Sequence, residues 1–310
     1  MRLKAPFPYF GGKGRAAPIV WDALGDVGGY VEPFAGSAAV LLARPRFEGR
    51  RVETINDADG WLVNAWRAIR SRPDEVAAHA FGPVTEIDYH ARLAWLQERR
   101  TDGLVSWLEG DPEVCDPKAA GWWLYVSACG IGDPWGPGPW RVVDGRLTDV
   151  RKLPHLGDAG RGVQRLSAYM QALATRLERV RITAGDWRRV LKPSVVRATA
   201  GNPTIGVFLD PPYSVSGDLY AATNTSDDHA TISAQVREWC ASAPDSMRIV
   251  LAGYDDEHDE LIERGWTREA GKSGGGAGYS TNADNGKRER LWLSPACLTA
   301  EGVLDLAGLA

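Results

Sequence analysis

The chain has 310 residues, 44% of them hydrophobic and 25% charged, as expected of one large globular domain or a core domain carrying an insertion. A formal net charge of −4 excludes a uniformly basic nucleic-acid coat, and no apolar run approaches the roughly 18 residues of a membrane span. Cys115, Cys129, Cys240 and Cys297 form no Cys-x-x-Cys pair, and the five histidines show no ligand spacing, so neither a metal site nor a disulfide framework is expected.

The opening stretch lacks the apolar core of a secretory signal, which points to a cytoplasmic protein. Within it, Gly11, Gly12 and Gly14 bracket Lys13 behind Tyr9 and Phe10. This flexible cationic loop reads either as a clamp for an anionic group or as a simple turn. Strand-like runs follow at Tyr30–Pro33, Arg51–Asn56, Val180–Ala184, Ile205–Asp210 and Arg248–Ala252. Helical patterns cover Ser37–Ala43, Asp59–Arg70, Asp228–Ala241 and Asp256–Arg264. This alternation predicts an α/β protein with a mainly parallel, doubly wound sheet. Two later runs, Trp266–Ala270 and Glu289–Ser294, are expected to pair as an antiparallel edge.

The middle of the chain reads differently. From about Pro73 to Leu177, helices over Asp88–Arg100, Ala119–Ser127 and Val163–Leu177 surround an irregular loop, Cys129–Gly162, dense in Gly, Pro, Trp and Arg. So long a loop inside a compact domain is usually functional or disordered, and its tryptophans favour function. Arg141 to Ala200 holds 13 Lys and Arg against 5 Asp and Glu, a local excess suited to a polyanion-binding face or to a solvated arginine-rich helix.

Three further stretches carry chemistry. In YVEPFAGSAAV (Tyr30–Val40), a strand runs into Ala35, Gly36 and Ser37, small residues that let backbone approach a ligand at the strand's carboxyl end. The stretch is not Gly-x-Gly-x-x-Gly and lacks the Lys-Ser/Thr of a phosphate loop. In ETINDADGWLVNAW, Asp57 follows the second strand about twenty residues beyond the glycine turn, where an acid accepts from ribose hydroxyls. Asp57 or Asp59 serves equally well as a helix cap. In FLDPPYS (Phe208–Ser214), two prolines end a buried strand and stiffen a turn that holds an acid and an aromatic ring.

The order of glycine lead, strand turn, ribose-type acid and Asp210-Pro211-Pro212-Tyr213 resembles adenine-specific DNA methyltransferases of the Dam type. GDW (Gly185–Trp187) and RERLWLSP (Arg288–Pro295) match as well, and PHLGDAGRGVQR (Pro154–Arg165) resembles phage-encoded members. The resemblance implies a Rossmann-like sheet with helices on both faces, formed by residues 1–72 and 178–310. It also implies a mostly helical target-recognition insertion over 73–177. The implied methyl donor is S-adenosylmethionine and the implied partner is double-stranded DNA. Tyr9, Phe10, Gly11 and Lys13 resemble N-terminal cofactor contacts, and Glu32, Pro33, Phe34, Ala35, Gly36 and Ser37 the methionine-side loop. Asp57 resembles the ribose acid, and Asp186 is implied to approach the cofactor's adenine. Ala38 departs from the pattern, since many members place a second glycine there.

Adenine's exocyclic amine is a poor nucleophile because its lone pair is delocalised into the ring. Acceptors gripping its two N–H groups favour a more tetrahedral nitrogen, a task suited to the Asp210 carboxylate and the Pro211 carbonyl, with Pro212 adding rigidity. The base must leave the duplex stack, and Tyr213 is expected to stack on it, a contact worth roughly 1–3 kcal/mol. Arg141, Arg151, Lys152, Arg161 and Arg165 are candidates for phosphate contacts. Competing expectations are methylation of cytosine amino groups, of adenine in RNA or of protein glutamine, and a catalytically silent DNA-binding protein. Asp210 as the first residue of the tetrad favours adenine.

Overall fold

The computed structural model describes residues 3–9, 11–82, 85–99, 103–129, 141–143, 146–148, 162–212, 229–271 and 288–298. Its centre is a seven-stranded mixed sheet. Strands β1 (Gly29–Glu32) and β2 (Val52–Asp57) come first; a small antiparallel pair, β3 (Arg141–Val143) and β4 (Arg146–Thr148), stands apart. β5 (Val180–Ala184), β6 (Ile205–Leu209), β7 (Arg248–Tyr254), β8 (Thr267–Ala270) and β9 (Glu289–Leu293) complete the set. The sheet order is β5-β2-β1-β6-β7-β9-β8. The first five of these run parallel, and β9 lies antiparallel between β7 and β8. The α/β expectation and the antiparallel edge both hold.

Burial along the strands shows why the sheet is covered on both faces. In β6, Phe208 joins the hydrophobic cluster that contains α1 (Ala17–Leu24), whereas Val207 and Leu209 join the one that contains α9 (His229–Ser242). β7 divides likewise, with Val250 and Ala252 on one side and Ile249 and Leu251 on the other. Continuous apolar runs such as IGVFL are what strands buried on two faces require.

Helices α2 (Ala39–Leu42), α3 (Gly60–Ser71) and α8 (Gly162–Leu177) pack on the α1 face, and α4 (Pro73–Ala80), α5 (Glu86–Arg99), α6 (Gly103–Gly110) and α7 (Pro117–Cys129) extend the same apolar cluster. α3 starts where Asp59 accepts from the Trp61 and Leu62 amides at 2.8 and 3.4 Å, so Asp59 is the cap. α4 carries proline in its first turn with Asp74 and Glu75 beside it, both favourable at the positive end of a helix. Among the described residues, no helix is long and apolar enough to cross a membrane.

The structure departs from the sequence reading in the middle and at the ends of elements. α4 and α6 were not expected. α6 begins and ends with glycine, so local propensity argues against it. Docking creates it instead: Leu108 is buried, and the Arg67 guanidinium reaches from α3 to the Leu108 and Asp111 carbonyls at 2.6 and 2.9 Å. The Leu108 carbonyl is among the last-turn carbonyls that a helix end leaves without partners. Part of the expected irregular loop is the β3–β4 pair. Ser37–Ala43 shortens to α2, and Asp256–Arg264 becomes a 3₁₀ segment over Asp259–Arg264.

A buried charge cluster fixes α8 to the sheet. Glu53 on β2 accepts from Arg44 at 3.0 Å and from Arg176 on α8 at 2.7 and 2.9 Å. Arg44 also donates to the Val27 carbonyl, and Arg176 to the Leu41 carbonyl at 2.9 Å. All three side chains are buried. Replacing Glu53→Gln strands two guanidiniums without their counter-charge and should cost about 3–5 kcal/mol, read from the urea unfolding midpoint.

Candidate active site

Parallel strands deliver their carboxyl ends to one edge of the sheet. The chain leaves β1 in one direction for β2, and β6 lies on its other side, so the edge between β1 and β6 is a topological switch point. Ligands of open α/β sheets bind at such points. A cavity of about 400 Å³ lies there, lined by the segments that follow β1, β2, β5 and β6.

The cavity gathers residues widely separated in sequence. Tyr9, Gly11, Lys13, Glu32, Pro33, Phe34, Ala35, Gly36, Ser37, Asp57, Asp186, Asp210 and Pro212 all line it. Pro211, buried, sits between two of these residues in the turn. Phe10, Tyr213, Arg151, Lys152 and Arg161 lie outside the described residues. Arg141 opens β3, and Arg165 is exposed near the start of α8.

Sequence reasoning missed several wall residues. Val105 arrives on the unexpected α6, Ile232 on α9, and Arg188 beside the GDW stretch. Trp187 of that stretch packs against Phe34, ring centroids 5.8 Å apart, and forms an aromatic wall with it. The GDW tripeptide was the available signal for this wall.

Asp57 holds the turn after β1 to the start of α3. Its carboxylate accepts from the Gly36 amide at 2.9 Å and from the Asp59 amide at 3.0 Å. Asn56 adds a second tie, donating to the Pro33 carbonyl at 3.1 Å and to the Gly185 carbonyl at 2.9 Å. Trp66 donates to the Gly36 carbonyl at 3.0 Å from below. Gly36 has φ +48°, and a Cβ there would meet the Tyr9 ring at 2.5 Å, so glycine is favoured by the backbone and any side chain would force Tyr9 to move. Ala38 is also left-handed, at φ 48° and ψ 31°. A second glycine suits that backbone; the alanine bears a strain of about 1 kcal/mol, and its methyl is fully buried.

The site's electrostatics are acidic. Glu32 is 2% exposed and accepts from the Tyr30 hydroxyl at 3.0 Å and the Leu41 amide at 3.2 Å. Burial dominates these donors and, with Asp210 and Asp57 nearby, pushes its carboxyl up to about 8. Burial likewise raises Asp57 to about 6 against its backbone donors. Lys13 is 6% exposed, with its ammonium 2.9 Å from Asp210 Oδ2 and 2.9 Å from Glu289 Oε1. Asp186 caps the 3₁₀ turn Trp187–Leu191 by accepting from the Arg188 amide at 2.7 Å, and it pairs with the Arg188 side chain at 3.2 Å. Among the described residues, no cluster of three or more His, Cys, Asp or Glu could hold a metal ion.

The folded protein holds the Glu32 proton more tightly than the unfolded chain does. The resulting stabilisation is therefore complete below about pH 4.5 and is lost as pH rises to about 8. Glu32→Gln cannot ionise, so its stability relative to wild type should improve across that window by on the order of 1–3 kcal/mol, measured by chemical denaturation at a series of pH values.

Compared with known proteins, the chain matches no protein-family model and no curated protein.

Proposed function

We propose that this protein transfers a methyl group from S-adenosylmethionine to the N6 amine of adenine in double-stranded DNA. The observation that carries this reading is the charge of the cavity. Glu32, Asp57, Asp186 and Asp210 line it, and its two cations, Lys13 and Arg188, are each paired with one of these carboxylates. The Gly36 and Leu41 amides, where an α/β fold would cradle a diphosphate, already donate to Asp57 and Glu32. With Glu32 neutral near pH 7 and two carboxylates paired, Asp57 leaves the lining net negative, which disfavours phosphate and suits a nucleoside bearing positive charge.

The residues fit that donor. A carboxylate offers about four acceptor sites, so Asp57 retains capacity for a ribose hydroxyl beside its bonds from the Gly36, Ala58 and Asp59 amides. Glu32 lies where a cationic amino-acid end would favour its ionised form. Phe34 and Trp187 present apolar wall for a purine. When bound, S-adenosylmethionine supplies a methyl carbon activated on a sulfonium, so the carbon–sulfur electron pair stays with sulfur as the new bond to nitrogen forms.

The chain's own residues hold the acceptor. Asp210 follows β6 directly, and the two prolines restrict the backbone that carries it. Its carboxylate and the Pro211 carbonyl accept from the amine, and Tyr213 stacks on the extruded base. Alignment of the reacting atoms then provides most of the rate enhancement. Residues 73–177, with Arg141, Arg151, Lys152, Arg161 and Arg165, supply the contacts to duplex phosphates.

The test is incubation with unmodified duplex DNA and methyl-labelled S-adenosylmethionine, followed by nucleoside analysis. N6-methyldeoxyadenosine is the expected product. Asp210→Ala should lower its formation by about 10³-fold or more while the donor still binds. Label in deoxycytidine, label in RNA alone, or unchanged turnover in Asp210→Ala contradicts the proposal.

A further inference from the structure

Glu289 is the first residue of β9 and is 3% exposed. Strand register sets it opposite Tyr254 at the carboxyl end of β7, and β7 pairs with β6, whose chain continues into Asp210. A late segment of the chain thus reaches the same edge as Asp-Pro-Pro. The strand's packing role falls to Leu291, Trp292 and Leu293, all buried. Glu289 instead meets Lys13, Oε1 to Nζ 2.9 Å. The same ammonium lies 2.9 Å from Asp210 Oδ2 and donates to the Gly11 carbonyl at 2.8 Å. An ammonium has three N–H donors, and these three acceptors match them.

We infer that Glu289 is a positioning residue that acts on Asp210 through Lys13. The inference rests on the proposed methyl transfer to an amine. An ammonium paired with Asp210 alone would neutralise the carboxylate that must grip the amine. With Glu289 present, one ammonium is shared between two carboxylates, and the trio keeps a net charge of −1. Positive charge develops on the amine nitrogen as it gains the methyl group, before one N–H proton leaves to water. A fixed negative charge beside that nitrogen stabilises the change, and a water-poor setting strengthens its effect. The clamp also fixes the carboxylate's orientation, because Lys13 is held from three sides.

Glu289→Gln keeps the shape and removes the charge. Single-turnover methylation of duplex DNA should fall about 10- to 100-fold, with the S-adenosylmethionine Kd near wild type, measured at a temperature where the variant is fully folded because loss of a buried pair lowers its stability. Glu289→Asp, which keeps the charge, should recover part of the loss. Nitrogen NMR of ¹⁵N-lysine-labelled protein should show one ammonium signal protected from exchange, absent in Lys13→Met and shifted in Glu289→Gln. Unchanged turnover in Glu289→Gln overturns the inference, as does a parallel loss of turnover and donor affinity in both Glu289 variants. A wild-type protein without the protected signal overturns the clamp itself. A wild type that shows the signal but methylates no DNA overturns the proposed function, and the role of Glu289 with it.

Discussion

Carboxylates crowded at the carboxyl edge of a parallel sheet set the terms for everything around them. The strand ends bring Glu32, Asp57, Asp186 and Asp210 to one cavity. Charges so placed must be hydrogen-bonded, paired or neutralised. Each solution is present: Asp57 accepts from backbone amides, Asp210 pairs with Lys13, and Glu32 is raised into the neutral range. The Gly36 amide bond to Asp57 ties that carboxylate to the turn after β1, a turn with positive φ at both Gly36 and Ala38.

The loops that carry these acids are held from beneath by side chains that never reach the cavity. Asn56 bonds both the Pro33 and Gly185 carbonyls and so joins the segments after β1 and β5. Trp66 supports Gly36 from α3, and Arg67 on the same helix ties down the end of α6, which contributes Val105 to the wall. Farther out, Glu53 with Arg44 and Arg176 locks α8 against β2. These contacts hold the segments that carry the acids, and pre-organised electrostatics depend on such positioning.

Much of the sheet was legible in the sequence. Apolar runs such as IGVFL and RIVLAGY, bounded by turn residues, have one plausible reading when helical patterns alternate with them. The small-residue turn after β1 and Asp57 after β2 were legible for the same reason, since ligand sites in this architecture fall just past strand ends. Tyr9, Lys13 and Asp186 were singled out by resemblance, and Val105, Arg188 and Ile232 were not legible at all. Legibility failed where tertiary contact overrides local preference. Nothing local separates Asp57 from Asp59 as the cap of α3, and the structure gives that role to Asp59. α6, flanked by glycines, exists because Arg67 and α3 receive it. Nothing local in the sequence marks Arg44, Arg67 and Arg176 as buried, yet all three are. Glu289 sits in a stretch singled out by resemblance, yet its pairing with Lys13 depends on a strand register that no local pattern encodes.

The central claim is that this acidic cavity takes a positively charged nucleoside and refuses a polyphosphate. Calorimetric titration of the ligand-free protein with S-adenosylmethionine, then with ATP, tests it directly. The account predicts saturable one-site binding of S-adenosylmethionine that ATP in large excess does not displace. Binding of ATP at least as tight as that of S-adenosylmethionine, or no heat with S-adenosylmethionine from folded protein, would contradict it.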